Sequence, residues 1–161
     1  MVLKLKIKLL TIPFYGNNKI TYKNYLNYVD FINFLSVNCS KNKIRLCIES
    51  NISPDLFFLL KKKIYNNFYF TFDTGNRILL KRNLIEDLLQ FNNMIKHIHI
   101  KDKNKNKKNV QLGKGLVKFK LFFMALKKIK YRGRLTLETT RGKYPKKMAK
   151  ENLVFLKKYI Y

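Results

Sequence analysis

Short apolar runs alternate with longer segments of helical periodicity along this chain. The short runs predict five strands, which cover Leu3–Ile12, Ile44–Glu49, Phe68–Asp73, Met94–Ile100 and Arg134–Glu138. The longer segments predict five helices, over Tyr22–Leu35, Pro54 to about Lys63, Leu84–Phe91, Val117–Lys130 and from Pro145 onward. A chain in which strands and helices alternate in this way is expected to fold as an α/β protein around a parallel sheet.

Local signals mark several element boundaries. Ser53 stands directly before Pro54, as the cap and the first residue of a helix commonly do. Thr74–Asn76 is predicted to form a turn, and the lysine- and asparagine-rich segment Lys101–Asn109 a polar loop. Three lysines on one face of the first strand favour an exposed edge of the sheet, and they are Lys4, Lys6 and Lys8.

Four of the predicted strands end on a residue that can bind a metal ion. Side chains alternate between the two faces of a strand, and these residues end the more polar face, whereas the other face is apolar. They are Glu49, Asp73, His99 and Glu138, and the intervals between them are 24, 26 and 39 residues. One strand with its return helix takes roughly 30 residues, so the four could lie at the same end of neighbouring strands. That arrangement is typical of a (β/α) barrel active site, although each carboxylate could also simply cap the following helix.

Composition and length favour one intracellular domain. The 161 residues, of which 47% are apolar, are enough for a hydrophobic core, and we expect a single domain over residues 1–161. No apolar run approaches the roughly 20 residues that cross a bilayer, and lysines interrupt the N-terminal segment where a signal peptide would be apolar. Cys39 and Cys47 have no motif spacing, so they are expected to be reduced thiols of a cytoplasmic protein.

The net charge of +26 has two explanations. Lysines that neutralise phosphates would favour binding to nucleic acid. The charge is, however, spread along the whole chain, and lysine, asparagine, isoleucine, phenylalanine and tyrosine are abundant together, as an AT-rich coding sequence would produce. Net charge says little about fold or site, so the compositional explanation is preferred and specific nucleic-acid binding is not expected.

A set of short motifs then resembles a known family, the xylose-isomerase-like TIM barrels, and especially its sugar phosphate isomerases and epimerases. The motifs occur in family order, and they are Cys47-Ile48-Glu49, Asp73-Thr74-Gly75-Asn76, His97-Ile98-His99-Ile100-Lys101-Asp102, Leu112-Gly113-Lys114-Gly115, Tyr131-Arg132-Gly133 and Leu135-Thr136-Leu137-Glu138. They cover about five of the eight βα units of a barrel. The resemblance therefore implies a partial (β/α) TIM barrel, the C-terminal portion, with the N-terminal units missing.

The resemblance also implies a chemistry. In the family, a divalent ion is held by residues that match Glu49, Asp73, His99 and Glu138. Three carboxylates and one imidazole favour Mn²⁺ or Mg²⁺, with Zn²⁺ or Co²⁺ left open. Such an ion acidifies the C–H beside a sugar carbonyl and stabilises an enediolate, while Glu49 and Glu138 would remove and return the proton. The result is isomerisation or epimerisation of a sugar or sugar phosphate.

Further residues near the predicted strand ends are candidates for substrate contact: Asn76, Lys101, Asp102, Lys105 and Arg141. Asn76 stands where many family members carry a histidine that contacts substrate. Lys101 and Asp102 could equally pair with each other on a loop. Lys105 and Arg141 could meet a substrate phosphate, but in so basic a chain chance alone explains them better.

Two other motif positions are expected to be structural. His97 lies two residues before His99 on the same strand face, and we interpret it as an interior, hydrogen-bonded histidine rather than a ligand. Gly113 and Gly115 favour a tight turn over a phosphate cradle, because no predicted strand directly precedes them.

Two rival functions remain beside the isomerase. Five strands leave two unpaired edges, so the chain is expected to pair with a second copy or a complementary chain, or to be a non-catalytic remnant or binding module. The apurinic-site endonucleases of the same superfamily use additional metal-binding histidines. Here Asn76 and Lys107-Lys108-Asn109 occupy those places, which disfavours a nuclease.

Overall fold

A five-stranded parallel sheet carries the fold. The computed structural model describes residues 6–160, and its strands are β1 (Leu9–Phe14), β2 (Arg45–Ser50), β3 (Phe68–Asp73), β4 (Ile95–Ile100), β5 (Asp102–Lys103), β6 (Asn109–Val110) and β7 (Arg134–Leu137). The helices are α1 (Val29–Lys41), α2 (Pro54–Lys61), α3 (Thr74–Arg77), α4 (Leu84–Phe91), α5 (Phe119–Lys128) and α6 (Pro145–Ile160). The strand order is β1-β2-β3-β4-β7, and β5 and β6 form a separate two-stranded sheet. This is the α/β, partial (β/α) barrel architecture that the strand and helix pattern predicts.

The chain divides into two compact units, and the first reaches Thr71 and includes Met94–Lys96. In it β1 pairs with β2 in parallel, with Leu9 opposite Arg45. Phe57 of α2 packs flat against Phe68, with ring centroids 5.3 Å apart. Burying a phenylalanine side chain contributes about 1.5–3 kcal/mol, so contacts of this kind hold the helix on the sheet.

Helix α2 begins as the sequence predicts. The Ser53 hydroxyl accepts a hydrogen bond from the Leu56 N–H at 3.2 Å, and Pro54 is the first helical residue. The cap satisfies one of the N–H groups that a helix start leaves without a partner.

The second unit comprises Phe72–Asn93 and the chain from His97 onward. Here β4 pairs with β7 in parallel, with His97 opposite Arg134 and Ile100 opposite Leu137. The Glu138 N–H continues this ladder beyond β7 by donating to the Ile100 carbonyl at 3.1 Å. The pairing therefore fixes where the backbone of Glu138 lies relative to the end of β4.

A buried arginine helps to assemble the second unit. Arg77 pairs with Asp87, and its guanidinium lies 5.2 Å from the Phe72 ring centroid and 4.9 Å from that of Phe91. Arg82 reaches the same aspartate at 3.1 Å. A buried charge is costly unless it is paired, so these partners offset the cost of burying the Arg77 guanidinium. Removing Asp87 would therefore be strongly destabilising.

Several element boundaries match the prediction closely. The bounds of β3 and α4 are the predicted ones, and α6 begins at Pro145. The β1 strand continues through Pro13 to Phe14, which an edge strand allows because proline removes a hydrogen-bond donor that a central strand would need. The predicted strand start at Leu3 lies outside the described residues.

Other predictions are wrong in detail. The segment Thr74–Asn76 forms the first part of helix α3 rather than a turn, because the Asp73 side chain caps it. Tyr25–Tyr28 is a 3-10 turn, and the α-helix that follows it runs on to Lys41. The predicted loop after β4 is a small hairpin made by β5 and β6. Its turn is held by the Asn104 side chain, which accepts hydrogen bonds from the N–H groups of Asn106 and Lys108.

Two findings bear on earlier expectations. Cys39 and Cys47 are buried free thiols. Among residues 6–160, no helix has both the length and the hydrophobicity needed to cross a membrane.

Candidate metal centre

Asp73 ends strand β3 and is 1% exposed. One carboxylate oxygen, Oδ1, accepts the Asn76 N–H at 2.7 Å, and the other, Oδ2, accepts from the Asn76 side-chain amide at 3.2 Å. Asp73 therefore caps α3, as the simpler interpretation of a strand-end carboxylate predicts. The cap also fixes the orientation of the carboxylate.

His99 and Glu138 meet at the ends of β4 and β7. The His99 Nδ1 atom lies 3.2 Å from Glu138 Oε2. The imidazole side chain is 15% exposed, whereas that of Glu138 is 51% exposed. The pair thus combines a largely enclosed nitrogen with a carboxylate that solvent or a substrate can reach.

Lys101 joins the two carboxylates. Its ammonium nitrogen lies 2.9 Å from Asp73 Oδ2 and 3.0 Å from Glu138 Oε2. Burial by itself would lower the pKa of Lys101, but the hydrogen bonds and charges of Asp73 and Glu138 outweigh it and raise that pKa above its usual value. Lys101 is therefore a cation over the whole physiological pH range.

Glu49 lies near the end of β2 and is buried. Its Oε1 atom accepts a hydrogen bond from the Tyr15 hydroxyl at 3.2 Å. Of the residues that the sequence suggested as ligands, Asp73, His99 and Glu138 belong to the second unit, and each offers one ligand atom within 4.8 Å of the other two. Glu49 belongs to the first unit.

The donor set fits a divalent ion. Within the second unit, two carboxylates and one imidazole form a hard, oxygen-rich set, which suits Mn²⁺ or Mg²⁺ and is also compatible with Zn²⁺. The presence of the Lys101 ammonium between two of these carboxylates is an independent sign that this cluster favours positive charge.

Other predicted site residues have different surroundings. Asn76 is half-buried and directs its amide to Asp73, and Lys105 is exposed in the hairpin turn. Arg141 is exposed and lines a cavity of about 440 Å³ that Glu138 and Pro145 also line. Arg141, which was predicted to contact a substrate phosphate, thus lines the same cavity as the candidate metal ligand Glu138.

Asp102 holds the segment that follows the hairpin. Its side chain is fully buried, and its carboxylate accepts the N–H groups of Gly113, Gly115 and Val117 at 2.9–3.0 Å. Both carboxylate oxygens of Asp102 therefore accept backbone N–H groups inside the fold. The same contacts confirm that Gly113 and Gly115 serve a turn rather than a phosphate cradle.

His97 has the hydrogen bond that the sequence predicted. Its Nε2 atom lies 2.7 Å from the Thr136 hydroxyl, and its ring packs edge-on against that of His99, with centroids 4.7 Å apart. This packing restricts the His99 ring, because an edge-to-face neighbour limits its rotation.

Three residues that the sequence pattern does not single out support the candidate site residues. The Thr74 hydroxyl accepts the Lys101 N–H at 2.9 Å and donates to the Lys101 carbonyl at 2.6 Å, and Gly75 leaves room for the lysine side chain. Tyr15 holds Glu49. Thr74 and Gly75 belong to the Asp73-Thr74-Gly75-Asn76 motif, but nothing in the local sequence pattern connects them, or Tyr15, to partners so distant in sequence.

Residues 4–159 match the family model described as Xylose isomerase-like TIM barrel. The chain belongs to this family. The match covers nearly the whole sequence, and it confirms the resemblance drawn from the strand-end motifs.

Several solved structures are similar to this chain. A His-tagged D-allulose 3-epimerase from Methylomonas sp. has a TM-score of 0.82 and 18% identity, covering 99% of this chain and 65% of its own. A xylose isomerase domain protein from Planctomyces limnophilus has a TM-score of 0.81 and 22% identity, covering 94% and 59%. The IOLI protein with a binding zinc atom has a TM-score of 0.79 and 20% identity, covering 98% and 66%.

At these identities the similarity shows the fold alone. The chain spans 59 to 66% of the length of these three structures. Among curated proteins, none matches this sequence.

Proposed function

We propose that this chain carries the metal centre and the proton-transfer groups of a divalent-metal-dependent isomerase or epimerase that acts on a sugar or sugar phosphate. The observation that carries the proposal is the group of three ligand atoms, from Asp73, His99 and Glu138, within 4.8 Å of one another. Glu49 is the proposed fourth ligand. Names of similar structures, such as D-allulose 3-epimerase and the zinc-binding IOLI protein, support a sugar substrate and a metal.

The four ligands would have unequal roles. When bound, a divalent ion would polarise the sugar carbonyl and its neighbouring hydroxyl, which acidifies the C–H between them. Asp73, almost fully buried and fixed by its cap, is suited only to hold the ion. His99, with its ring restricted by His97, would supply the nitrogen ligand.

Glu138 is the better placed of the two proposed proton-transfer groups. Its side chain is half exposed, so it can approach a substrate carbon as a general base. Glu49 is buried and held by Tyr15, so it would act on a substrate that has entered fully. Returning the proton to the second carbon gives isomerisation, and returning it to the first from the opposite face gives epimerisation.

Substrate contacts would come from Asn76, Lys105 and Arg141. Arg141 lies in the cavity beside Glu138, where its guanidinium could bind a phosphate in bidentate fashion.

Strands β1 and β7 are the edges of the described sheet, and unpaired edges favour association, so we also propose that a second copy or a complementary chain pairs with them. Light scattering that finds a monomer would refute this association.

Binding of Mn²⁺ tests the metal centre. We expect calorimetry to detect one Mn²⁺ site, and Glu138→Gln to weaken the affinity at least tenfold, since it removes an anionic ligand. The matched control is Glu86→Gln, on exposed Glu86 of α4, which is expected to leave affinity unchanged. Equal affinities for the unaltered protein and Glu138→Gln would contradict the proposal.

Proton exchange tests the reaction itself. The Mn²⁺-loaded protein would be incubated in D₂O with a panel of ketohexoses and their phosphates, and deuterium beside the carbonyl would be measured by NMR. Exchange that disappears in Glu138→Gln is expected. Mn²⁺ binding without any exchange would favour the alternative, a non-catalytic binding module of the same family.

A further inference from the structure

We infer that Lys101 is a built-in counter-ion of the metal centre, which holds the Asp73 and Glu138 carboxylates together until a divalent ion takes its place. The inference rests on the proposed function, because it assumes that the ion binds these carboxylates. It gives Lys101, which is not a proposed metal ligand, the role of positioning two of the ligands.

The ammonium contacts carboxylate oxygens that a metal ion would need. Lys101 Nζ lies 2.9 Å from Asp73 Oδ2 and 3.0 Å from Glu138 Oε2, and that same Glu138 oxygen is 3.2 Å from His99 Nδ1. An ammonium and a divalent cation repel each other strongly at such separations in a partly buried site. Both cannot keep their closest contacts with the same oxygens, so binding the ion requires Lys101 to withdraw.

The position of Lys101 is built by its neighbours rather than reached by a flexible surface chain. Its side chain is only 9% exposed. Thr74 exchanges two hydrogen bonds with the Lys101 backbone, at 2.9 and 2.6 Å. Gly75 provides the space for the stem, because a Cβ atom there would lie 2.7 Å from Lys101 Cγ and 2.9 Å from its Cβ.

This construction distinguishes Lys101 from the other lysines of a very basic chain. The two neighbouring positive side chains of the hairpin, Lys103 and Lys105, are half-buried and exposed, respectively. Lys101 instead compensates two carboxylates that would otherwise repel each other when no ion is bound. The metal-free site is thereby kept assembled, and the cost appears as a weaker affinity for the ion.

Mn²⁺ affinity of Lys101→Met tests the inference, since methionine keeps most of the stem and removes the charge. We expect Lys101→Met to bind Mn²⁺ at least fivefold more tightly than the unaltered protein, and its metal-free form to melt at a lower temperature. Lys101→Arg, which keeps a charge, is expected to show no gain in affinity. The matched control Lys103→Met should leave Mn²⁺ affinity unchanged. An affinity for Lys101→Met that is equal or weaker would overturn the inference.

A second measurement uses the unaltered protein, in case Lys101→Met fails to fold. Reductive methylation with formaldehyde and a borohydride would be followed at each lysine by peptide mass spectrometry, with and without saturating Mg²⁺. We expect Lys101 to be protected without Mg²⁺ and to react several-fold faster with it, while Lys103 serves as the internal reference. Equal protection in both conditions would overturn the inference.

The outcomes separate the two proposals. If the unaltered protein binds no divalent ion, both the metal centre and the role of Lys101 are refuted. If Mn²⁺ binds and Glu138→Gln weakens it, but neither Lys101→Met nor Mg²⁺-dependent methylation behaves as expected, only the role of Lys101 is refuted.

Discussion

Replacing Asp102 with asparagine tests how far one buried carboxylate holds the segment that follows the hairpin. Asp102 Oδ2 accepts the N–H groups of Gly113 and Gly115 at 3.0 and 2.9 Å, and Oδ1 accepts that of Val117 at 3.0 Å. Asparagine has nearly the same shape, but it has one acceptor oxygen and a donor where the second oxygen was.

The magnitude follows from these bonds. If the amide oxygen takes the place of Oδ2, two bonds survive without their charge, and the amide nitrogen then faces the Val117 N–H. Bonds to a charged group contribute about 1.5–3 kcal/mol and an orphaned buried donor costs about 1–3 kcal/mol. We therefore expect Asp102→Asn to lower the free energy of unfolding by about 2–4 kcal/mol. Asp102→Ala should lower it by at least about 3 kcal/mol, because three N–H groups then lose their acceptor.

Urea unfolding followed by circular dichroism gives this free energy, provided that the slope with denaturant is unchanged. The matched control is Asp30→Asn, since Asp30 is an exposed aspartate in the first turn of α1, and it should cost less than about 1 kcal/mol. A loss below about 1 kcal/mol for Asp102→Asn would refute the view that Asp102 organises this segment.

Two further predictions concern the unfolding free energy. Burial raises the pKa of the Cys47 thiol to about 12 from 9.0, so the folded state keeps a proton that the unfolded state loses. Stability should therefore fall between pH 9 and 12, by about 1.4 kcal/mol per pH unit from this group, and urea unfolding should show a shallower pH dependence for Cys47→Ala. Identical slopes would contradict this. Gly115→Ala should lower the free energy of unfolding by about 1–3 kcal/mol in the same urea assay, because the added Cβ would lie 2.6 Å from the Lys103 carbonyl oxygen. An unchanged free energy of unfolding would refute this close packing.

The regular elements of the chain were predictable because local and tertiary preferences agree there. Strand β3, Phe68–Asp73, is an aromatic and β-branched run that becomes buried. Ser53 marks the start of α2 by its capping hydrogen bond, and Pro54 by a backbone φ that suits the first helical position. The order of strands and helices then limits the architecture to a parallel sheet, which the xylose isomerase-like motifs placed in a family.

The boundaries that failed depend on side-chain contacts within loops. A glycine and an asparagine after Asp73 favour a turn by composition, yet the Asp73 carboxylate caps them into helix α3. Asn104 folds the polar segment after β4 into a hairpin by accepting two backbone N–H groups. Composition cannot rank such alternatives, because the same residue types favour both.

The candidate site was predictable to the level of residue type at strand ends. Asp73, His99 and Glu138 could be proposed because parallel strands bring their carboxyl ends to one edge. The roles of Lys101 and Asp102 could not be separated, since they are adjacent in sequence and both charged. Their difference arises from the alternation of strand side chains, which turns one toward the carboxylates and the other toward the N–H groups of the next segment.

The cap made by Asp73 has a consequence for ion selectivity. Oδ1 accepts the short hydrogen bond that starts α3, at 2.7 Å, whereas Oδ2 accepts a longer one, at 3.2 Å, so Oδ2 is the oxygen better suited to contact a cation. Calcium usually binds six to eight oxygen ligands, and a carboxylate often coordinates it through both oxygens. Magnesium is smaller and usually binds only one or two protein carboxylates, keeping several water ligands. A helix start, formed for reasons of backbone hydrogen bonding, would thereby discriminate against the larger alkaline-earth ion without any residue devoted to excluding it.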